Sequence, residues 1–145
     1  MSGITIDVRI DDGEVRALLL GIRDRIGNLK PAMSVVGQIV RSSVVRNFEA
    51  GGRPSKWPMS QRARKEDGKT LVDTARLRSS INARAFADHA EIGTNVVYAA
   101  IHQFGGPAGR GRKVTIPARP YLMIQDEDWT EITAELQDYI LKGAK

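Results

Sequence analysis

The 145-residue chain contains no cysteine, so disulfides, thiolate metal ligands and cysteine nucleophiles are excluded. It has two histidines, which leaves few candidates for a general base or a metal ligand. No stretch approaches the roughly eighteen consecutive apolar residues that a transmembrane helix needs. The amino terminus lacks the basic segment and the apolar run of a signal peptide. A soluble protein that folds in a cytoplasm, or in a particle assembled there, is expected.

The length and the 41% hydrophobic content suit one domain over residues 1–145 with one modest core. The net charge is +5, but it is unevenly placed. Residues 51–84 hold nine basic and three acidic side chains, whereas residues 125–145 hold six acidic side chains and two lysines. Such a chain can dock head to tail on its own copies, or bind an acidic partner or nucleic acid. Plain solvated surface is the alternative.

The first half of the chain predicts a strand and two amphipathic helices. Apolar residues alternate over 4–10, the period of a half-buried strand. Asp11 and Glu14 form a capping box for a helix over 14–27, and a second helix is predicted over 31–50. Each helix has one apolar stripe for burial: Val15, Leu18, Leu19, Ile22 and Ile26 in the first, and Val36, Ile39, Val40, Val44 and Phe48 in the second.

The second half predicts short elements and a closing helix. A helix over 70–81, capped by Asp73 or Thr74, precedes a hairpin of strands at 82–86 and 90–93. One or two helical turns over 97–104 and a strand over 113–116, which extends the hairpin sheet, come next. The last helix spans 126–141 with these residues inward: Trp129, Ile132, Leu136, and Tyr139 or Ile140. The fold class is α+β, a small, mostly antiparallel sheet with helices packed on one side.

Two segments, residues 51–69 and 105–113, break all periodicity and are predicted to be long extended loops. Loops held on a rigid scaffold are where binding residues concentrate. We therefore expect both to reach neighbouring subunits or other proteins, with their basic residues on acidic surfaces and one tryptophan as a buried anchor. The residues assigned to this interface are Arg53, Lys56, Trp57, Arg62, Arg64, Lys65, Arg110 and Arg112.

Four separated stretches resemble one protein family. They are G-x-P-x-x-W over 52–57, L-V-D-T-x-x-L-x-x-S-I over 71–81, E-I-G-T-N-V-x-Y-A-x-I-H-Q-F-G-G over 91–106 and I-P-A-R-P-Y-L over 116–122. In this order they resemble the phage virion morphogenesis proteins, the tail-completion proteins of Mu-like and P2-like tailed bacteriophages. The resemblance covers roughly residue 36 to the carboxyl terminus. One departure is Ala75, where the family has glycine. Because alanine takes a positive φ only at a cost, the local turn is expected to differ.

The resemblance implies a structural virion protein without catalysis, which acts in tail completion and head–tail joining. It implies a homo-oligomeric ring at the head-proximal end of the tail, with neighbouring tail or neck proteins as partners. Six copies are expected from the symmetry of phage tails. The protein would reside in the tail or neck of the virion, and in the host cytoplasm during assembly. No cofactor, metal or membrane is implied.

An enzymatic interpretation would depend on His102. No nucleophile and carboxylate accompany it in a recognisable signature, and its spacing to His89 is not that of metal ligands. A structural role is favoured, in a motif whose aromatic residues face the sheet together with Ile101. Its histidine and glutamine are expected to hydrogen-bond the nearby backbone of residues 117–120, and its glycines let the chain reverse. The motif comprises Tyr98, His102, Gln103, Phe104, Gly105, Gly106, Pro117 and Pro120.

Arg119 lies between two of these positions, Pro117 and Pro120, which fix the local backbone. A guanidinium held in place this way suits a carboxylate or a carbonyl. Arg119 is therefore also assigned to the subunit or partner interface, with two alternatives open for its partner group: one on another subunit, and one within the same chain.

A second function from another class is a non-specific nucleic-acid-binding module that uses the basic segment, since phosphate contacts by Lys and Arg dominate such affinity. The sequence has no helix-turn-helix, zinc-finger or RNP-like signature. A subunit of a DNA-conducting channel is a compromise, because it would show basic residues to passing DNA without reading its sequence.

Overall fold

The computed structural model describes residues 13–143. The strand predicted over 4–10 and the capping residue Asp11 lie outside the described residues. The elements in chain order are helices α1 (Gly13–Gly27), α2 (Lys30–Ala50), α3 (Gln61–Glu66) and α4 (Arg76–Ser80), strands β1 (Asn82–Ala85) and β2 (Ala90–Gly93), helix α5 (Ala99–Phe104), strand β3 (Gly106–Ala108), a 3₁₀ turn (Arg110–Arg112), strand β4 (Val114–Ile116) and helix α6 (Asp126–Lys142).

Helix α2 is the centre of the fold. It packs against both strands of the β1–β2 hairpin and against α6. Its predicted stripe is confirmed, because Val40, Val44 and Phe48 are buried while Val36 and Ile39 pack at the edge of the core. The helix ends as predicted at Gly51, which has φ +73°. The other members of the core are Trp57, Leu77, Ile81, Val96, Ala99, Tyr121 and Ile132.

The strands form two separate two-stranded antiparallel sheets. In one, β1 pairs with β2 from Asn82 opposite Gly93 to Ala85 opposite Ala90, so the predicted hairpin is confirmed. In the other, β3 pairs with β4. The prediction that residues 113–116 extend the hairpin is therefore wrong, because residues 106–108 return alongside them and take up their backbone hydrogen bonds. The α+β class is confirmed.

Both predicted loops contain regular structure, so their description as extended loops is wrong in part. Helix α3 lies inside the 51–69 segment, and the Ser60 hydroxyl caps it by accepting a hydrogen bond from the Ala63 amide at 3.2 Å. The 105–113 segment contains β3 and the 3₁₀ turn. The cap at Ser60 is a recognised start signal, but the short helix that it begins has one buried residue, Ala63, and hence no apolar period.

Helix α4 is much shorter than the helix predicted over 70–81. Leu71 has φ +63° and Ala75 has φ +61°, and left-handed residues do not continue a right-handed helix. Ala75 directly precedes α4, with no side-chain cap, so the predicted caps Asp73 and Thr74 are wrong. The turn at Ala75 thus has the left-handed conformation that favours glycine, with alanine in its place.

Helix α1 has no buried residue, although the sequence predicts a buried stripe. Leu19 is 59% exposed and Val15 is 57% exposed, so the stripe is present in sequence but uncovered within the described chain. Trp129 of α6, also predicted to face inward, is 54% exposed. Ile132 of the same helix is buried and Leu136 packs on the core, as predicted.

Within residues 13–143 there is also no helix with the length and apolarity required to cross a bilayer.

Replacing Ala75 by glycine is expected to stabilise the protein. The left-handed conformation costs an alanine about 1–2 kcal/mol. Glycine avoids this cost, but its greater freedom in the unfolded chain lowers stability by about 0.5–1 kcal/mol. The net expected gain is about 0.5–1 kcal/mol in the free energy of unfolding, measured by urea denaturation. The matched control is Ala134→Gly on the exposed side of α6, which should lose about 1 kcal/mol. A loss at Ala75 of the same size as at Ala134 would contradict the strained turn.

Candidate functional site

The segment that contains Arg119 is fastened to α5 by Gln103. The Gln103 Oε1 atom accepts hydrogen bonds from the Tyr121 amide at 3.0 Å and the Leu122 amide at 2.9 Å, and Nε2 donates to the Leu122 carbonyl at 3.2 Å. The hydroxyl of Tyr121 donates to the Ala99 carbonyl at 2.8 Å. This hydroxyl is buried, and burial raises its pKa. Gln103 thus bonds backbone as expected, at residues 121–122 rather than 117–120.

Gly105 allows this segment to lie close to α5. Its φ is +71°, and a Cβ atom on it would lie 2.7 Å from the Ala118 nitrogen and 2.8 Å from the Ile116 oxygen. Beside it, the Arg119 amide donates to the His102 carbonyl at 2.8 Å. A side chain at position 105 would push the two segments apart, so the glycine is required by close approach. Gly106 also has a positive φ, +139°, but open space around it.

Trp57 lies in the core of its own chain. It is 9% exposed, its ring meets Phe48 edge-on at 5.7 Å between centroids, and its Nε1 donates to the Pro120 carbonyl at 3.3 Å. Phe48 also packs on Tyr121, with the ring centroids 5.2 Å apart. The sequence predicts that Trp57 anchors a partner. The structure instead buries the Trp57 ring within its own chain.

Three of the basic residues assigned to the interface are engaged within the chain. Arg53 donates to Asn47 Oδ1 at 2.9 Å, to the carbonyl and hydroxyl of Ser43 at 2.8 and 2.7 Å, and to Glu127 Oε1 at 3.0 Å. The Lys56 ammonium donates to the Ala50 carbonyl. Arg62 donates to the Lys69 carbonyl at 2.8 Å and lies 3.3 Å from Glu66 Oε2. These contacts hold the 51–69 segment on the fold.

The remaining four basic residues are exposed, and within residues 13–143 their side chains form no hydrogen bond or ion pair. They are Arg64, Lys65, Arg110 and Arg112. Two lie on α3 and two on the 3₁₀ turn. These are the loop cations of the predicted interface that remain available to a partner.

A cavity of about 310 Å³ lies beside Arg119, and we refer to it as the Arg119 cavity. Its walls come from the 60–62 segment, the turn and helix over 71–77, the start of α5, and Arg119 itself. Three of the four stretches quoted for the family resemblance therefore meet here. Arg119 is 6% exposed and donates from Nε to the Pro58 carbonyl at 2.7 Å. The sequence left open whether the partner group of Arg119 lies on another subunit or within the same chain. For Nε, the partner is a carbonyl of the same chain.

The side chain of His102 lines the Arg119 cavity without a hydrogen-bond partner. Its Nδ1 atom is buried and unpaired within the described chain, and its ring meets Tyr98 edge-on at 5.9 Å. The expectation that this side chain bonds nearby backbone is wrong, since only its carbonyl does so. Burial lowers the pKa of His102, and the charge of Arg119 lowers it further. The ring is thus favoured in its neutral form.

The aromatic residues of this motif do not face the sheet. Tyr98 is 41% exposed and Phe104 is 78% exposed, which contradicts the prediction. The buried residue of α5 is instead Ala99. A three-residue spacing places side chains on one side of a helix, but in a helix of six residues it does not decide which side is covered.

The second histidine, His89, lies at the tip of the β1–β2 hairpin. Its Nδ1 is 2.5 Å from Asp88 Oδ1 and its Nε2 is 3.4 Å from Glu91 Oε1. The hydrogen bond to Asp88 is the main cause that raises the pKa of His89. The ring also stacks on Phe86 at 4.5 Å between centroids. Across residues 13–143, no three His, Asp or Glu side chains are grouped so that they hold a metal ion.

Comparison with known proteins identifies the family of the chain. The model of the phage virion morphogenesis family matches residues 10–141. The chain belongs to this family. It is also 41% identical over 135 residues to the Mu-like prophage FluMu G protein 2 of Haemophilus influenzae, an alignment that covers 92% of this chain and 95% of that protein. No solved structure matches the chain.

Membership in the phage virion morphogenesis family supports a structural or morphogenesis role in phage. The matched range begins at residue 10, well before the first quoted stretch, so it includes α1 with its exposed apolar residues. It also includes every wall of the Arg119 cavity. Both features thus lie in the part of the chain that the family shares.

The two tryptophans of the chain are expected to respond differently to alanine. Trp57→Ala removes a ring from the core and should lower the free energy of unfolding by about 3–5 kcal/mol. Trp129→Ala removes an exposed ring and should change it by no more than about 0.5 kcal/mol. Urea denaturation followed by circular dichroism measures both. Equal, small losses would show that Trp57 is not a core residue, whereas equal, large losses would show that Trp129 is covered.

Proposed function

We propose that the protein is a non-catalytic structural subunit of a phage tail, which completes the tail and joins it to the head. It would form a homo-oligomeric ring, of six copies, at the head-proximal end of the tail and contact neighbouring tail or neck proteins. Family membership supports the phage role. The observation that supports the ring is the apolar face of α1, which no other part of residues 13–143 covers.

The apolar face of α1 consists of Val15, Leu18, Leu19, Ile22 and Ile26. Four of these five side chains are between 48% and 59% exposed. Scattered exposed apolar residues are normal, but a contiguous stripe along a helix is typical of a protein–protein contact. The helix is nevertheless fixed at one end, because Arg25 Nε donates to the Ile140 carbonyl of α6 at 2.7 Å. A stripe held in place and left uncovered suits a subunit interface.

The charge distribution supports contacts between copies. The basic excess of residues 51–84 and the acidic excess of residues 125–145 are complementary, and complementary charges on two surfaces steer association. A contact of two different surfaces is heterologous, and such contacts close into rings when the rotation between subunits permits. A ring from one kind of subunit therefore agrees with both the apolar face and the charges.

Leu19→Glu is expected to abolish self-association while the chain stays folded. The substitution places a charge in the middle of the apolar face of α1, and burial of an unpaired charge is strongly unfavourable. Native mass spectrometry over a concentration series should show a ring for the unaltered protein, with six copies expected. The variant should be monomeric, with at least a tenfold weaker association. Ser42→Glu, on an exposed position of α2, is the control and should assemble normally.

A ring that forms equally well from Leu19→Glu would remove the apolar face from the interface. An unaltered protein that is monomeric at every concentration, and absent from the neck in images of intact particles, would overturn the proposed function as a whole.

A second candidate, non-specific contact with DNA, is favoured by the four unpaired cations at Arg64, Lys65, Arg110 and Arg112. If all four bind phosphates, log K for random duplex DNA should fall with log salt at a slope of about −3 to −4, since each neutralised phosphate contributes about −0.9. Filter binding or fluorescence anisotropy measures this slope. Arg64→Gln with Lys65→Gln should reduce it by about two, whereas the exposed Lys56→Gln, whose ammonium binds Ala50, should not.

A further inference from the structure

We infer that the Arg119 cavity binds a carboxylate group, presented by an acidic side chain on α6 of a second copy of this chain. The binding chemistry follows from the cavity alone, and only the identity of the partner rests on the proposed ring.

The first observation is a buried guanidinium without a counter-ion. Arg119 is 6% exposed, yet within residues 13–143 it forms no salt bridge, and its single side-chain hydrogen bond runs from Nε to the Pro58 carbonyl. Burial lowers the pKa of this guanidinium, which remains charged because its unperturbed value is far above neutral. The two terminal nitrogens form a fork that matches the two oxygens of a carboxylate. The terminal nitrogens are not among the buried unpaired atoms of the described residues, so they keep access to the cavity, and an anion that enters it can pair with them.

The second observation is the unpaired Nδ1 nitrogen of His102, a residue whose side chain lines the same cavity. Nδ1 is buried and has no hydrogen-bond partner in the described chain, and such a group carries the full penalty of lost hydration. In the tautomer with hydrogen on Nδ1, the neutral ring donates one hydrogen bond. Arg119 and the His102 ring thus line one cavity, and each has at least one nitrogen without a hydrogen-bond partner within the described chain.

The composition of the walls favours a carboxylate over a phosphate. Arg62 and Arg76 also line the cavity, but Asp73 lines it as well and lies 3.6 Å from Arg62. One positive charge is thus already offset, and the nearby carboxylate opposes a dianion. Leu71, Leu77 and Tyr98 provide apolar walls, which suit the methylene stem of an acidic side chain.

Helix α6 is the acidic surface that fits this site. Asp126 and Glu131 are exposed, and their carboxylates form no ion pair within residues 13–143. They belong to the acidic segment of the chain, whereas the 51–84 segment that builds much of the cavity is strongly basic. Insertion of one carboxylate from α6 into the cavity of the next copy gives a head-to-tail contact.

The chemistry is tested first with acetate as the probe. The ring ¹⁵N signals of His102 are followed by NMR while sodium acetate replaces sodium chloride at constant ionic strength, and His89 serves as an internal reference. A saturable shift of the His102 signals is expected, and it should weaken about tenfold or more in Arg119→Lys, which loses the fork. Arg76→Gln, an exposed cavity residue, should weaken it too without affecting folding, and Arg64→Gln should not. An unchanged His102 signal, or tighter binding of phosphate than of acetate, would overturn the site.

The partner is tested by mixing two variants. Arg76→Glu blocks the cavity and leaves α6 intact, whereas Asp126→Lys with Glu131→Lys blocks α6 and leaves the cavity intact. Each alone should be monomeric, and a mixture should form 1:1 dimers, because one functional surface remains on each partner. Native mass spectrometry resolves these species. Rings that form normally from either variant would reject the α6 contact while leaving the proposed ring in place. A monomeric unaltered protein would reject the ring itself.

Discussion

The structure depends on one guanidinium whose three nitrogens all donate hydrogen bonds, that of Arg53. It donates to Asn47 and Ser43 on α2 and to Glu127 on α6, and its own carbonyl accepts from Gln125 at 3.1 Å. Asp128, which is 1% exposed, completes the network by accepting from the Ser43 hydroxyl and from the Gln125 amide at 2.8 Å. A buried polar network is favourable only when each member is satisfied. This one ties α2, the 51–60 segment and the start of α6 together.

Arg119 lies in a different environment from Arg53. The difference distinguishes an arginine that stabilises the fold from one that is available to bind a partner. Both arginines lie largely within the protein, but Arg53 meets acceptors on two helices, whereas Arg119 offers its terminal nitrogens to a cavity. The Arg53 network also holds the segment that contains Arg119. Asn47 Nδ2 donates to the Tyr121 carbonyl at 2.8 Å, and Tyr121 is two residues from Arg119. A stable interior therefore holds the guanidinium that lacks an anion.

The sequence predicts the regular elements well where a period and a stop signal agree. The α2 stripe, its end at Gly51 and the span of α6 are confirmed, because apolar spacing and capping are local properties. The failures have non-local causes. The 113–116 strand pairs with 106–108 rather than with the hairpin because the turn at residues 109–113 reverses the chain between them. The 70–81 helix is shortened by two residues with positive φ. Neither leucine nor alanine favours a positive φ, so the residue types at positions 71 and 75 do not predict this conformation.

The candidate site is predicted less well, for a related reason. Charge and composition identify Arg53, Trp57 and Arg119 as notable, but they do not say which of them the chain covers itself. Trp57 is covered by Phe48 and Pro120, which lie far apart in sequence. The α1 stripe shows the converse case, because it is predicted to be buried but is exposed within the described residues. Its period predicts an apolar face, but whether that face meets the same chain or another is decided by three-dimensional contacts. Within residues 13–143 this face remains exposed after the core is complete, and that exposure is the physical basis on which we propose that a second copy of the chain covers it.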